Sequence, residues 1–300
     1  MIPKRAVRLR AVAAEILESR LALAGAGRAS RAFARSWLGA GGRIPFLIVR
    51  NPASASGLPA EFAGIPAVPV GEAGSTPATR DCDVLILAVS DDAIESVGEA
   101  LASRVSCRVA LHLSGALSSG VLAPLARLGA AVGSLHPVRP FTGEVHEDWS
   151  GAFVAVEGDP AAAETATAIA RAVGARPHAL SPDAKPLYHA AASLAAGGTA
   201  AVVSVAVEAW IAAGVPADTA REVLSGLAER AVAAASKLPF REAFTGAVAR
   251  RDVGTVRAHT EALAPHPEAF ALYRALAEEI LRRTQGRGKE DEIRGILTRG

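Results

Sequence analysis

Between residues 20 and 180 the chain alternates short, uniformly apolar runs with stretches of helical spacing, and after Pro182 the runs stop. That alternation admits few folds. A short run with no polar position suits a strand covered on both faces, and such strands need helices packed between and over them. The runs at 20–24, 46–49, 67–70, 83–89, 109–113, 130–135, 153–156 and 178–180 read as strands. Segments 30–38, 184–213, 217–235 and 268–283 read as helices. The expected architecture is α/β, with an N-terminal doubly wound, mostly parallel sheet and a C-terminal all-helical domain. An extension over 1–18 precedes a sheet domain over 19–182 and a helical domain over 183–300. A length of 300 residues suits two such cores.

The loop after the first run carries the most chemistry. Gly25-Ala26-Gly27-Arg28-Ala29-Ser30 ends a strand and opens a helix. Gly25 permits the tight turn, Gly27 lets a diphosphate approach the backbone, and the helix N-terminus offers free amides. This is the Rossmann dinucleotide pattern, with Ser30 in place of the third glycine. The second run ends at Arg50-Asn51, with no carboxylate before Glu61. A guanidinium there favours a ribose 2′-phosphate, so the expected cofactor is NADP rather than NAD. Val89, Ser90 and Asp91 end the fourth strand and Ser114-Gly115 the fifth, on the edge where such sheets bind ligands. They flank the nicotinamide in one reading. In the other, Asp91 and Asp92 only cap a helix.

Several function classes are disfavoured. Thirty-two basic against 30 acidic residues leave a net charge of +2, which gives no long-range field for nucleic acid or anionic membrane. Cys82 and Cys107 have no metal or disulfide spacing and read as reduced thiols of a cytoplasmic protein. No metal site is expected. The most apolar stretch, 190–207, is rich in small residues and reads as a buried helix rather than a membrane span. The basic stretch 282–289, followed by Glu290-Asp291-Glu292, reads as a solvated, frayed tail.

Gly25-Ala26-Gly27, the 84–92 strand and turn, the 111–116 segment around His112 and Ser114-Gly115, and Ser134-Leu135-His136-Pro137 resemble the Rossmann half of a known family. Lys185-Pro186-Leu187-Tyr188-His189, Phe244-Thr245-Gly246, Arg250-Arg251-Asp252 and His259 resemble its helical half. The family is the Rossmann-like, DUF2520-domain group of inferred NADP oxidoreductases. It is related to ketopantoate reductase, pyrroline-5-carboxylate reductase and 6-phosphogluconate dehydrogenase. The resemblance implies a dimer formed through the helices and a small substrate such as ketopantoate. It departs from the family where Ala196-Gly197 replaces a Ser-Asn pair, Ala247 replaces a proline, and Arg251 replaces a glycine.

Lys185 and His189 are four apart and share one helix face. With the resemblance, they and His136 are the expected catalytic residues. Lys185 would give a proton or polarise a carbonyl. His189 and His136 would do the same or hold a substrate carboxylate. Arg139 could pair with an anionic substrate, and Arg250 with Asp252 at a helix start. The expected function is NADPH-dependent reduction of a small, carboxylated keto acid or imine. Two other readings stay open: an NADP-binding regulatory or scaffold protein without turnover, and a prephenate dehydrogenase-like enzyme.

Overall fold

The computed structural model describes residues 15–50, 60–144, 147–286 and 288–298. They fall into two compact units, Met1–Ala192 and Ser193–Gly300. The break lies beyond the change of character at Ser181-Pro182, because the helix that begins at Lys185 carries a side chain fully buried in the first unit.

The first unit holds one eight-stranded sheet. Its strands are β1 (Leu21–Ala24), β2 (Leu47–Val49), β3 (Ala67–Pro69), β4 (Asp81–Leu87), β5 (Ser106–His112), β6 (Ala131–Pro137), β7 (Phe153–Gly158) and β8 (Arg176–Ala179). Their order is β3-β2-β1-β4-β5-β6-β7-β8, parallel throughout except at β6–β7. The chain winds outward from β1 to β3, then crosses to β4 and winds the other way. That reversal opens a crevice at the carboxyl ends of β1 and β4.

Alternate residues of β1 feed two cores. Leu21 and Leu23 pack with Phe33, Trp37 and Trp149 on one face, and Ala22 and Ala24 with Phe46, Leu85 and Leu87 on the other. Helices α1 (Arg28–Gly39), α2 (Ile94–Ala102) and α3 (Pro160–Ala172) cover the faces. Cys82 and Cys107 are register partners on β4 and β5, both free thiols. Burial raises both, Cys107 to about 11. Helix α4 (Lys185–Ser193) ends the unit.

The second unit is helical: a π-helical segment Leu194–Gly198, then α5 (Thr199–Ala212), α6 (Ala217–Ala235), α7 (Val253–Leu263), α8 (Pro267–Arg283) and α9 (Glu290–Leu297). Three expectations are corrected here. The tail is not frayed: α9 buries Ile293 and Leu297 against Val256, Ala277 and Leu281, an apolar spacing that the flanking charges concealed. Nor is the 190–207 stretch a buried helix, since α5 has no buried residue. The helical span Pro182–Ala212 is long and apolar enough to cross a membrane, and no residue of its apolar window is buried within the chain. Asp252 caps α7, accepting from Thr255 N at 3.1 Å. Among the described residues Arg250 and Asp252 make no ion pair within 4 Å, although, after the hydrogen bonds from Thr255, the Arg250 charge helps to lower Asp252; the close pair here is that of Arg251, whose guanidinium lies 3.0 Å from Glu290.

Candidate active site

The glycine loop takes its shape from sterics. Gly25 has φ +105°, and a Cβ there would lie 2.3 Å from the Ala88 carbonyl oxygen. Only glycine lets the end of β1 close against β4 in this conformation. Gly27 is the N-cap of α1, and a Cβ on it would meet nothing within 4 Å. The Arg31 amide donates to the Gly27 carbonyl at 2.9 Å, so the amides of Arg28, Ala29 and Ser30 precede the first internal bond of the helix. Ser30 is buried and donates its hydroxyl to the Gly25 carbonyl at 2.6 Å, tying the turn together.

Gly25, Ala26 and Gly27, with Ile48, Val49 and Arg50 and with Val89 and Ser90, line a cleft of about 440 Å³. Open backbone at Gly27 above three helix-start amides is a donor set that suits a dinucleotide diphosphate. Arg50 is exposed at the tip of β2. Asn51 lies outside the described residues.

A second cluster arises from register. His112 on β5 pairs with Ser134 on β6, and Ser134 with Glu157 on β7. Paired residues point to the same face of a sheet, so three polar side chains line up across neighbouring strands in the sheet interior. All three are buried. His112 Nδ1 accepts from the Ser114 amide at 3.1 Å, which leaves Nε2 to donate to the Ser118 carbonyl at 3.2 Å. Ser114 Oγ donates to Asp91 at 2.7 Å and accepts from the Leu117 amide at 3.0 Å. Asp91 is therefore tied to the next strand's loop, and no side chain caps the one-turn helix that starts there.

Lys185 enters this cluster from α4 with its side chain fully buried. Its ammonium donates to Ser134 Oγ at 2.7 Å and to the Ser114 carbonyl at 3.1 Å. One turn on, Tyr188 OH lies 2.9 Å from His136 Nδ1. The rings of His136 and His189 are 5.5 Å apart, edge to face. Both pack on Gly115, where a Cβ would lie 2.5 Å from His189 Nδ1 and 2.6 Å from His136 Cε1. Among the described residues, that buried His189 nitrogen has no hydrogen-bond partner. Lys185, His189 and His136 thus share one cluster with Asp91, Ser114 and Gly115.

Burial sets the charge states. Desolvation lowers Lys185 to about 8, against opposing attraction from Glu157 and then Asp91. It lowers His112 to about 3, with Lys185 adding repulsion. His136 falls to about 4 through burial, with repulsion from His189 and Lys185. Tyr188 is pushed up to about 12 by burial. Around neutral pH the cluster combines a charged lysine that gives up its proton readily with the neutral imidazoles of His112 and His136.

Sequence reasoning missed His112, Ser134, Tyr188 and Glu157. The first three lie in the motifs that carry the family resemblance but were given no role, and the signal for Glu157 was a carboxylate at the end of the apolar run 153–156. Arg139 stands apart: it is exposed, donates to the Asp148 carbonyl at 2.8 Å and ion-pairs with that side chain. His259, in the second unit, lies 3.1 Å from Tyr273 OH.

Known structures share this fold. A candidate NADP oxidoreductase from Bacteroides fragilis superposes with a TM-score of 0.72 at 20% identity, covering 89% of this chain and 99% of that one. A Thermotoga maritima protein gives 0.70 at 21%, covering 88% and 98%. A reductive aminase from Aspergillus terreus, in complex with NADPH and ethyl-5-oxohexanoate, gives 0.61 at 15%, covering 92% and 98%. No curated protein matches the chain. Sequence profiles match over residues 12–137, as a Rossmann-like domain, and over 152–280, as the domain of unknown function DUF2520. With its sheet order and glycine loop in agreement, the chain is a Rossmann-like, DUF2520-domain protein.

Proposed function

We propose that the chain is an NADPH-dependent reductase of a small, carboxylated keto acid or imine. The observation that carries this reading is the buried Lys185 ammonium beside the Ser114-Gly115 loop at the ligand edge of the sheet. Bound NADPH would supply a hydride to the carbonyl or imine carbon. The amides of Arg28, Ala29 and Ser30 would hold its diphosphate, and Arg50 its 2′-phosphate. Lys185 would donate a proton to the oxygen or nitrogen that gains the electron pair, and would recover it from solvent. His136, neutral at its lowered value, would orient the substrate by a hydrogen bond rather than by charge, and the His189 ring beside it would complete that wall of the site. Asp91 would fix the Ser114 loop against which the substrate lies.

The test is NADPH oxidation with a panel of 2-keto acids and cyclic imines, alongside NADPH binding followed by fluorescence. Lys185→Ala should keep nucleotide binding and lose about 100-fold or more in turnover. Undiminished turnover in that variant would remove Lys185 from the chemistry.

A second reading, nucleotide binding without turnover, draws support from Gly197, which offers no side chain in the π-helical segment. It predicts NADPH binding with no oxidation across the whole panel. We also propose that a second copy covers the helical unit, where Leu227 and Val232 on α6 are more than half exposed. Light scattering should then show a dimer.

A further inference from the structure

Glu157 is a carboxylate in the sheet interior, 3% exposed. Its oxygens accept from the Ser119 amide at 2.9 Å, the Ser119 hydroxyl at 2.6 Å and the Ser134 hydroxyl at 3.3 Å. A hydroxyl has one proton. Ser134 spends its proton on Glu157, so its lone pairs face Lys185, whose ammonium donates to it at 2.7 Å. The chain of hydrogen bonds therefore has one direction, from ammonium through hydroxyl to carboxylate.

A buried cation needs an opposing charge. The groups around Lys185 are Asp91 from the turn after β4, His112 from β5, His136 from β6, Glu157 from β7, and Tyr188 and His189 from α4 itself. Asp91 already accepts the Ser114 hydroxyl. The imidazoles of His112 and His136 repel an ammonium whenever they carry a proton. We propose that Glu157 is a positioning residue, a buried carboxylate that acts through the Ser134 hydroxyl to hold the Lys185 ammonium charged and aimed at the ligand edge. This rests on the reductase reading only for the use made of that proton. The electrostatic coupling itself needs no substrate.

Lysine 13Cε NMR on the full chain tests it. The sequence has four lysines, Lys4, Lys185, Lys237 and Lys289, and the signal lost in Lys185→Arg assigns the one of interest. The Lys185 midpoint should lie near 8. It should fall by about one pH unit in Glu157→Gln and move back toward the wild-type value in Glu157→Asp. Ser134→Ala should lower it as well, and this variant stands in if Glu157→Gln does not fold. NADPH affinity within about twofold of wild type shows that the sheet is intact, since a one-unit pKa change needs no change at the distant nucleotide loop. An unmoved midpoint in a folded Glu157→Gln or Ser134→Ala protein overturns the proposal. Failure of the reductase reading has a different signature: Lys185→Ala keeps full turnover while the midpoint still follows Glu157.

Discussion

His189 Nδ1 occupies the space that a side chain on Gly115 would take, 2.5 Å from an ideal Cβ there. His136 crowds the same position from β6. Gly115 is thus the floor on which two imidazoles meet, and its lack of a side chain is a packing requirement. Gly115→Ala must push both rings aside. It should cost about 1–3 kcal/mol in urea unfolding. Under the proposed function it should also lower turnover by about tenfold or more, because misplacing orienting groups is expensive.

Acid should destabilise the protein through His112. Its ring accepts from one backbone group and donates to another, an arrangement that only the neutral form can make. The folded value, about 3, lies below the ordinary 6.5. The unfolded chain therefore takes up a proton first as pH falls. The stabilisation is complete above about 6.5 and declines toward 3, by about 1.4 kcal/mol per pH unit. Urea unfolding at about pH 7 and about pH 5 should show a loss of about 2 kcal/mol from this residue. His112→Gln should flatten the dependence.

The pH profile of turnover should break near the Lys185 value. If Lys185 gives the proton, kcat/KM for reduction should be level below about 8. It should fall about tenfold per pH unit above that, as the ammonium is lost. A profile with no break below about 10 would point to another donor.

Arg50 shares the cleft with the glycine loop. Arg50→Ala should weaken NADPH binding by about tenfold or more while leaving NADH nearly unchanged, because only the first carries a 2′-phosphate. Paired fluorescence titrations give both constants.

The C-terminal helix should depend on one buried ion pair. The Arg251 side chain is 3% exposed and its guanidinium reaches Glu290 at 3.0 Å. Glu290→Gln leaves that charge without its carboxylate and should cost about 3 kcal/mol in thermal or urea unfolding. NADPH affinity should not change.

The sheet was legible because its information is local. A run such as Val84 to Val89 announces a strand covered on both faces, and Gly25 announces a turn that only glycine tolerates. Each rule needs a window of a few residues, so eight strands and the nucleotide loop followed from the chain alone. Lys185 and His189 were visible as one helix face for the same reason. The burial of α9 and the partial exposure of α5 were not legible, since an apolar spacing cannot say what will cover it. Nor was the row of His112, Ser134 and Glu157. Those residues belong to three strands, and only the β5–β6 and β6–β7 pairings bring them side by side, where loss of water sets their charges. Propensity acts along the chain; register and desolvation act across it, and the chemistry proposed here depends on the second kind.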